Sequence, residues 1–196
     1  MNFIFIILTF LISAVIARIL IPRILLISLR KKLFDIPDDR KIHKRAIPRL
    51  GGVSFFPTTL FAFCLVYAFR LLDGNSISTL YASYLLPELL LFACGMTLLY
   101  LTGIADDLVG VRYRQKFAIQ IFCACLFPLS GLWINDLYGL FGIHELSAYV
   151  GIPFTVLTVV FITNAINLID GIDGLASGLS SVALLVFTFL FISKGL

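Results

Sequence analysis

The sequence predicts an all-α, polytopic integral membrane protein of about six transmembrane helices, and three observations carry that prediction. Of 196 residues, 60% are hydrophobic and 13% charged, with a mean hydropathy of +1.05, which excludes a disordered chain and an ordinary soluble domain. The apolar residues gather into six runs, each close to the roughly 20 residues that a helix needs to cross a bilayer. Lys and Arg avoid alternate loops, as membrane topology requires of a multi-pass chain.

In chain order the runs place spans near 3–22, 52–71, 84–104, 117–134, 152–169 and 175–193. The first, in MNFIFIILTFLISAVIA, lacks a basic n-region and a small-residue cleavage site, and its apolar run exceeds a signal core, so it reads as a retained span. Pro22 is expected to bend the chain into an interfacial continuation, with Arg18 and Arg23 snorkelling to the headgroups. Cys64, Cys94, Cys123 and Cys125 all lie in apolar stretches without a CxxC pair, so they read as small buried thiols rather than metal ligands. No internal repeat or linker divides residues 1–196, which read as one membrane domain.

Eleven of the fifteen Lys and Arg residues fall in two loops, residues 30–49 and 112–116, whereas 72–83 and 135–150 contain none. The positive-inside rule therefore puts both termini outside and the two basic loops in the cytoplasm. Nucleic acid is excluded as a partner, because the cations are confined to loops with no aromatic platform beside them. Asp35, Asp38, Asp39, Asp106, Asp107, Asp170 and Asp173 map to the same cytoplasmic side. Carboxylates, amides and cations collected at one membrane face suit a polyanion together with a metal ion.

Three motifs supply those groups. In GIADDLVGVRYRQK, residues 103–116, the adjacent Asp106 and Asp107 suit a Mg2+ ion that keeps positions for phosphate and water. Arg112, Arg114 and Lys116 follow, and a diphosphate needs neutralisation on several oxygens at once. An acid pair in a solvated loop is the plain alternative. In DIPDDRKIHKRAIPRLGG, residues 35–52, basic residues alone are explained by topology, but the Asp-x-Pro turn and the Gly-Gly entry into the second span make a shaped loop. Gly51 and Gly52 offer backbone N–H groups at a helix N-terminus, which favours anions. No GK[ST] follows, so this is not a P-loop. His43 by itself reads as a plain loop histidine before it reads as a catalyst or ligand.

In NAINLIDGIDGLASG, residues 164–178, polar side chains recur every three residues. On one continuous helix Asn164, Asn167 and Asp170 share a sector of about 120°, and Asp173 lies beyond it. Gly171 and Gly174 favour a helix break that returns Asp173 toward the others, although a plain N-cap of the sixth span also accounts for it. Asp170 at a helix C-terminus opposes the macrodipole unless a cation sits beside it.

Together these motifs resemble the polyprenyl-phosphate N-acetylhexosamine-1-phosphate transferase family (glycosyltransferase family 4), with the undecaprenyl-phosphate GlcNAc-1-phosphate branch the nearer match. The resemblance runs along the whole chain, and NAINLIDGIDGLASG is its most specific part. It implies transfer of a sugar 1-phosphate, GlcNAc 1-phosphate in that branch, from a UDP-sugar to undecaprenyl phosphate at the cytoplasmic face of the bacterial plasma membrane. UMP leaves, and the product enters a cell-envelope glycan such as lipopolysaccharide or teichoic acid.

Carried over by residue, the resemblance makes Asp106 and Asp107 catalytic. It assigns Asn167 and Asp107 to a Mg2+ or Mn2+ ion, and Lys116, Asp170, Asp173, Arg40, His43 and Arg49 to substrate. Gly110 stands where some relatives carry a further acid, which removes that position from metal binding. The family's roughly ten spans imply that residues 1–196 form the N-terminal portion of a longer transferase, with an inactive truncated form as one alternative. A coupled transporter and a membrane prenyltransferase are the other readings that the residues leave open. Oligomeric state is silent in the sequence, a homodimer being compatible with it.

Overall fold

The structure, a computed structural model, describes residues 2–35, 47, 48, 50–72, 76–170, 172 and 174–194. Within them six helices follow one another: α1 (Asn2–Arg30), α2 (Phe55–Leu72), α3 (Ser76–Val109), α4 (Tyr113–Leu129), α5 (Ala148–Ile169) and α6 (Leu175–Ser193). Two two-residue strands, β1 (Phe34–Asp35) and β2 (Ile47–Pro48), form a short antiparallel ladder with Phe34 opposite Pro48 and Asp35 opposite Ile47. The protein is an all-α, multi-pass membrane protein.

Among the described residues five segments are long and apolar enough to cross a membrane: Phe3–Arg30, Gly51–Leu72, Leu85–Val109, Ala148–Ile169 and Leu175–Ser193. The remaining run becomes α4, whose 17 residues measure about 25 Å, short of a bilayer's roughly 30 Å core. It ends at Leu129 rather than 134, where Gly131 turns the chain in the left-handed region. Helix α4 packs against both α3 and α5, so its polar Gln120 sits among protein rather than lipid.

Two of the boundaries that differ from expectation have a clear physical cause. Helix α1 runs through Pro22 to Arg30 without ending there, because a membrane helix tolerates the one hydrogen bond that proline removes. Ser28 and a left-handed Lys32 close it: Ser28 Oγ donates to the Leu33 carbonyl at 2.8 Å. Helix α3 continues to Val109 and carries Asp106 and Asp107 on its last turn. Charge ends a hydropathy run without ending a helix, whose backbone bonds are indifferent to it.

Sequential helices are spatial neighbours, with α1 on α2, α3 on α4 and α4 on α5 as the main contacts. The buried residues are small or polar, including Ala62, Ala124, Thr58 and Thr155, as membrane helices that approach closely require. Large apolar side chains such as Phe161 and Leu185 face outward. The cysteines correct an expectation: Cys123 is buried, but Cys64, Cys94 and Cys125 are exposed. A thiol is apolar enough to face lipid, so an apolar run says nothing about which side of the helix it occupies.

The connection from α4 to α5 folds back at an Asp136–Glu145 bridge and is fixed at its base. The Ile134 N–H donates to Thr155 Oγ1 at 2.8 Å, and that hydroxyl donates to the Gly151 carbonyl at 2.7 Å. A Cβ on Gly151 would lie 2.5 Å from both the Trp133 ring and the Ile134 carbonyl oxygen. This contact sets α5 against the end of α4, and therefore the spacing of the two helices at their opposite ends.

Candidate functional site at the ends of four helical segments

At those opposite ends a cleft of about 440 Å³ opens. Its walls are the C-terminal turns of α3 and α5, the N-terminal turn of α4, and the 3-10 turn Gly51–Ser54 that leads into α2. Asp106, Asp107, Lys116, Asn167 and Asp170 line it, with Gly52, Val53, Tyr100, Thr102, Gln120 and Thr163. Five of the residues singled out in sequence thus meet from three helices.

Each wall has a local cause. Gly110, at φ +74°, ends α3 by donating its N–H to the Asp106 carbonyl at 3.0 Å. A side chain would be strained in that left-handed conformation, which explains the glycine at this position. Three residues later α4 begins, so Asp106 faces its first turn. Asp106 Oδ1 accepts the Val111 N–H at 2.9 Å, and Oδ2 accepts from Lys116 Nζ at 2.8 Å. The ion pair is 26% exposed on the lysine and 32% on the aspartate. Asp106 therefore couples the end of α3 to the start of α4.

The 3-10 turn is held from the other side. Leu50, left-handed at φ 72°, aims the chain into Gly51–Ser54. The Tyr100 hydroxyl donates to the Val53 carbonyl at 3.0 Å, and the Tyr100 ring sits 5.1 Å from that of Phe56. Gly52 and Val53 are thereby placed beside α3 as one wall of the cleft.

The last wall is α5, which ends at Ile169 with Asp170 as its C-cap. Asp170 is exposed, and its N–H donates to the Ile166 carbonyl at 3.1 Å. The chain breaks between Ile169 and Leu175 as the glycines predict, and the N-cap position of α6 is Gly174 rather than Asp173. Asp173, Arg40, His43 and Arg49 lie outside the described residues.

Asn164 does not line the cleft. Its Nδ2 donates to Gln120 Oε1 at 2.7 Å and to the Val160 carbonyl at 2.9 Å, joining α5 to α4 one turn below Asn167 and Lys116. Arg114, expected beside a diphosphate, instead donates from Nε to the Tyr113 hydroxyl at 2.9 Å with its guanidinium over that ring. Neither it nor Arg112 lines the cleft. Gln120 carries no motif and was missed; its only signal is the four-residue spacing from Lys116, which puts both on one helix face.

The electrostatics are unusual for helix ends. The C-terminal poles of α3 and α5 contribute Asp106, Asp107 and Asp170 to the lining of one cleft, where the macrodipole already disfavours negative charge. Lys116 answers part of that charge. Such a cleft attracts a cation, and the N-terminal turn of α4 beside it suits an anion.

Residues 89–196 match the model of glycosyl transferase family 4. The chain belongs to glycosyl transferase family 4. Every cleft residue named above except Gly52 and Val53 lies within the matched part. The family member described here is 30% identical to the probable undecaprenyl-phosphate N-acetylglucosaminyl 1-phosphate transferase of Bacillus subtilis over 191 residues, 97% of this chain and 49% of that protein. It is 29% identical to the phospho-N-acetylmuramoyl-pentapeptide-transferase of Staphylococcus carnosus, covering 97% of this chain and 60% of that one. The undecaprenyl-phosphate alpha-N-acetylglucosaminyl 1-phosphate transferase of Thermotoga maritima is 30% identical over 86% of this chain and 47% of its own length. The chain spans about half the length of the curated relatives it matches. No solved structure matches it.

Proposed function

We propose that this chain contributes the cytoplasmic cleft of a transferase in the bacterial plasma membrane. The enzyme moves a sugar 1-phosphate, GlcNAc 1-phosphate first among candidates, from a UDP-sugar to undecaprenyl phosphate. The observation that carries this reading is the convergence of Asp106, Asp107, Lys116, Asn167 and Asp170 on one cleft at the helix ends. The names of the relatives in Bacillus subtilis and Thermotoga maritima support the lipid acceptor and the sugar. The basic segment 112–116 adjoins the cleft end, which supports a cytoplasmic location through the positive-inside rule. A transporter site would call for polar groups near the bilayer midplane, and here they gather at helix ends.

In this reaction an oxygen of the lipid phosphate attacks the phosphorus that bears the sugar. The bond from that phosphorus to the bridging oxygen breaks, and the electron pair leaves with UMP. The lipid phosphate is ionised near neutral pH, so Asp107 has positioning rather than proton removal as its main task. Asp106 holds Lys116 by one of three ammonium hydrogens, and the others are available to phosphoryl oxygens facing the cleft.

The donor set fits magnesium. Asp107, Asp170 and the Asn167 amide oxygen are hard donors on the cleft wall. Among the described residues no three His, Cys, Asp or Glu side chains converge, and magnesium needs only one or two carboxylates when phosphates and water complete its shell. When bound it neutralises charge on the diphosphate. UMP release from UDP-GlcNAc should require both undecaprenyl phosphate and Mg2+. Equal release without any lipid acceptor would overturn the reading.

A further inference from the structure

We infer that Gln120 contacts substrate, donating from its carboxamide NH2 to a phosphoryl oxygen of the lipid phosphate; the inference rests on the function proposed above. Its orientation follows from its neighbours. The Val160 carbonyl is only an acceptor, so Asn164 must turn its Nδ2 toward it, at 2.9 Å. The second hydrogen of that same nitrogen then points at Gln120, 2.7 Å away, which must present Oε1. The Gln120 NH2 group is left, and among the described residues no protein group accepts from it.

Gln120 is 5% exposed and lines the cleft. It lies one turn beyond Lys116, about 6 Å further along α4 toward the apolar interior. Two other cleft residues stand at the same depth, Thr102 one turn before Asp106 and Thr163 one turn before Asn167. Their hydroxyls donate to the Leu98 and Val159 carbonyls at 2.7 and 2.8 Å. The Tyr100 hydroxyl is likewise occupied by Val53. Among the described residues at the membrane side of the cleft, Gln120 is therefore the side chain with hydrogens to give.

Depth and charge together select the ligand. A phosphate carried on a lipid enters from the bilayer side, whereas a nucleotide enters from water. A neutral amide holds an attacking phosphate oxygen without drawing off its negative charge as a second lysine would. The site is thus built to hold the acceptor phosphate between Gln120 and Lys116.

Steady-state UMP release at varied undecaprenyl phosphate and varied UDP-GlcNAc tests this. Gln120→Glu keeps the shape and an oxygen for Asn164 to donate to, and replaces only the NH2 that faces the cleft. The KM for undecaprenyl phosphate should rise about tenfold or more, the loss of a hydrogen bond to a charged group, while that for UDP-GlcNAc stays within about twofold. Gln120→Met should shift the same constant in the same direction, with thermal unfolding confirming that both variants fold. Both constants rising alike, neither rising, or only that for UDP-GlcNAc rising overturns the inference while the proposed function stands. A wild-type protein that releases no UMP overturns both.

Discussion

Replacing Lys116 by Met separates what the ammonium does for the fold from what it does in the cleft. In the structure Lys116 Nζ lies 2.8 Å from Asp106 Oδ2, and both side chains are about a quarter to a third exposed. A hydrogen bond to a charged group contributes about 1.5–3 kcal/mol, and solvent screening at this exposure reduces the loss to about 1 kcal/mol of stability. Asp106→Asn should cost a similar amount, because Oδ1 still accepts from Val111. The double variant should cost little more than either change alone, a coupling of about 1 kcal/mol. Turnover should respond more strongly. The remaining ammonium hydrogens face the cleft, and losing one charged contact to phosphate lowers kcat/KM by about 10- to 100-fold. Thermal unfolding in detergent micelles and UMP release would be measured on the same samples. Activity within twofold of wild type in Lys116→Met would refute the role in phosphate binding. Additive stability losses would refute the coupling to Asp106.

Other outcomes follow from the same geometry. Gly151→Ala forces a Cβ to within 2.5 Å of the Ile134 carbonyl oxygen and the Trp133 ring; it should destabilise by about 1–3 kcal/mol through overpacking, seen as a lower unfolding midpoint. Thr155→Val removes the acceptor of the Ile134 N–H and should cost about 1–3 kcal/mol if that donor stays unsatisfied, read in the same assay. Asp170→Asn should raise the Mg2+ concentration for half-maximal UMP release about tenfold with an unchanged unfolding midpoint, since Asp170 is an exposed C-cap.

The fold was largely legible because hydropathy reports what a bilayer demands. Helix α6 falls at 175–193 as expected, and α2 and α5 end within one residue of expectation and differ mainly at their N-terminal ends. The errors occurred where the helix and the apolar run have different causes. Pro22 and the Asp106–Asp107 pair interrupt hydropathy, but intrahelical hydrogen bonds carry α1 and α3 past them. The exposed cysteines have a similar origin, since hydropathy does not distinguish a lipid-facing side from a packed one.

The site was legible in its residues and not in its joints. Asp106, Asp107, Lys116, Asn167 and Asp170 were identifiable because carboxylates and amides are costly at a membrane boundary. That Lys116 pairs with Asp106 rather than standing alone is a tertiary fact. The Gln120–Asn164 bond joins residues 44 positions apart. In sequence Gln120 is a single polar residue in an apolar run, and only the packing of α4 on α5 gives it a partner and a direction.

The central claim is that transfer takes place in the cleft where α3 and α5 end and α4 begins. It is tested most directly by transfer of labelled sugar phosphate from UDP-GlcNAc to undecaprenyl phosphate in the Asp107→Asn variant. Asp107 lines the cleft from the last turn of α3, so the variant, checked by thermal unfolding to be folded, should lose about 100-fold or more in transfer rate, the scale of one positioned electrostatic group. Transfer within twofold of wild type by a fully folded Asp107→Asn protein would contradict the account.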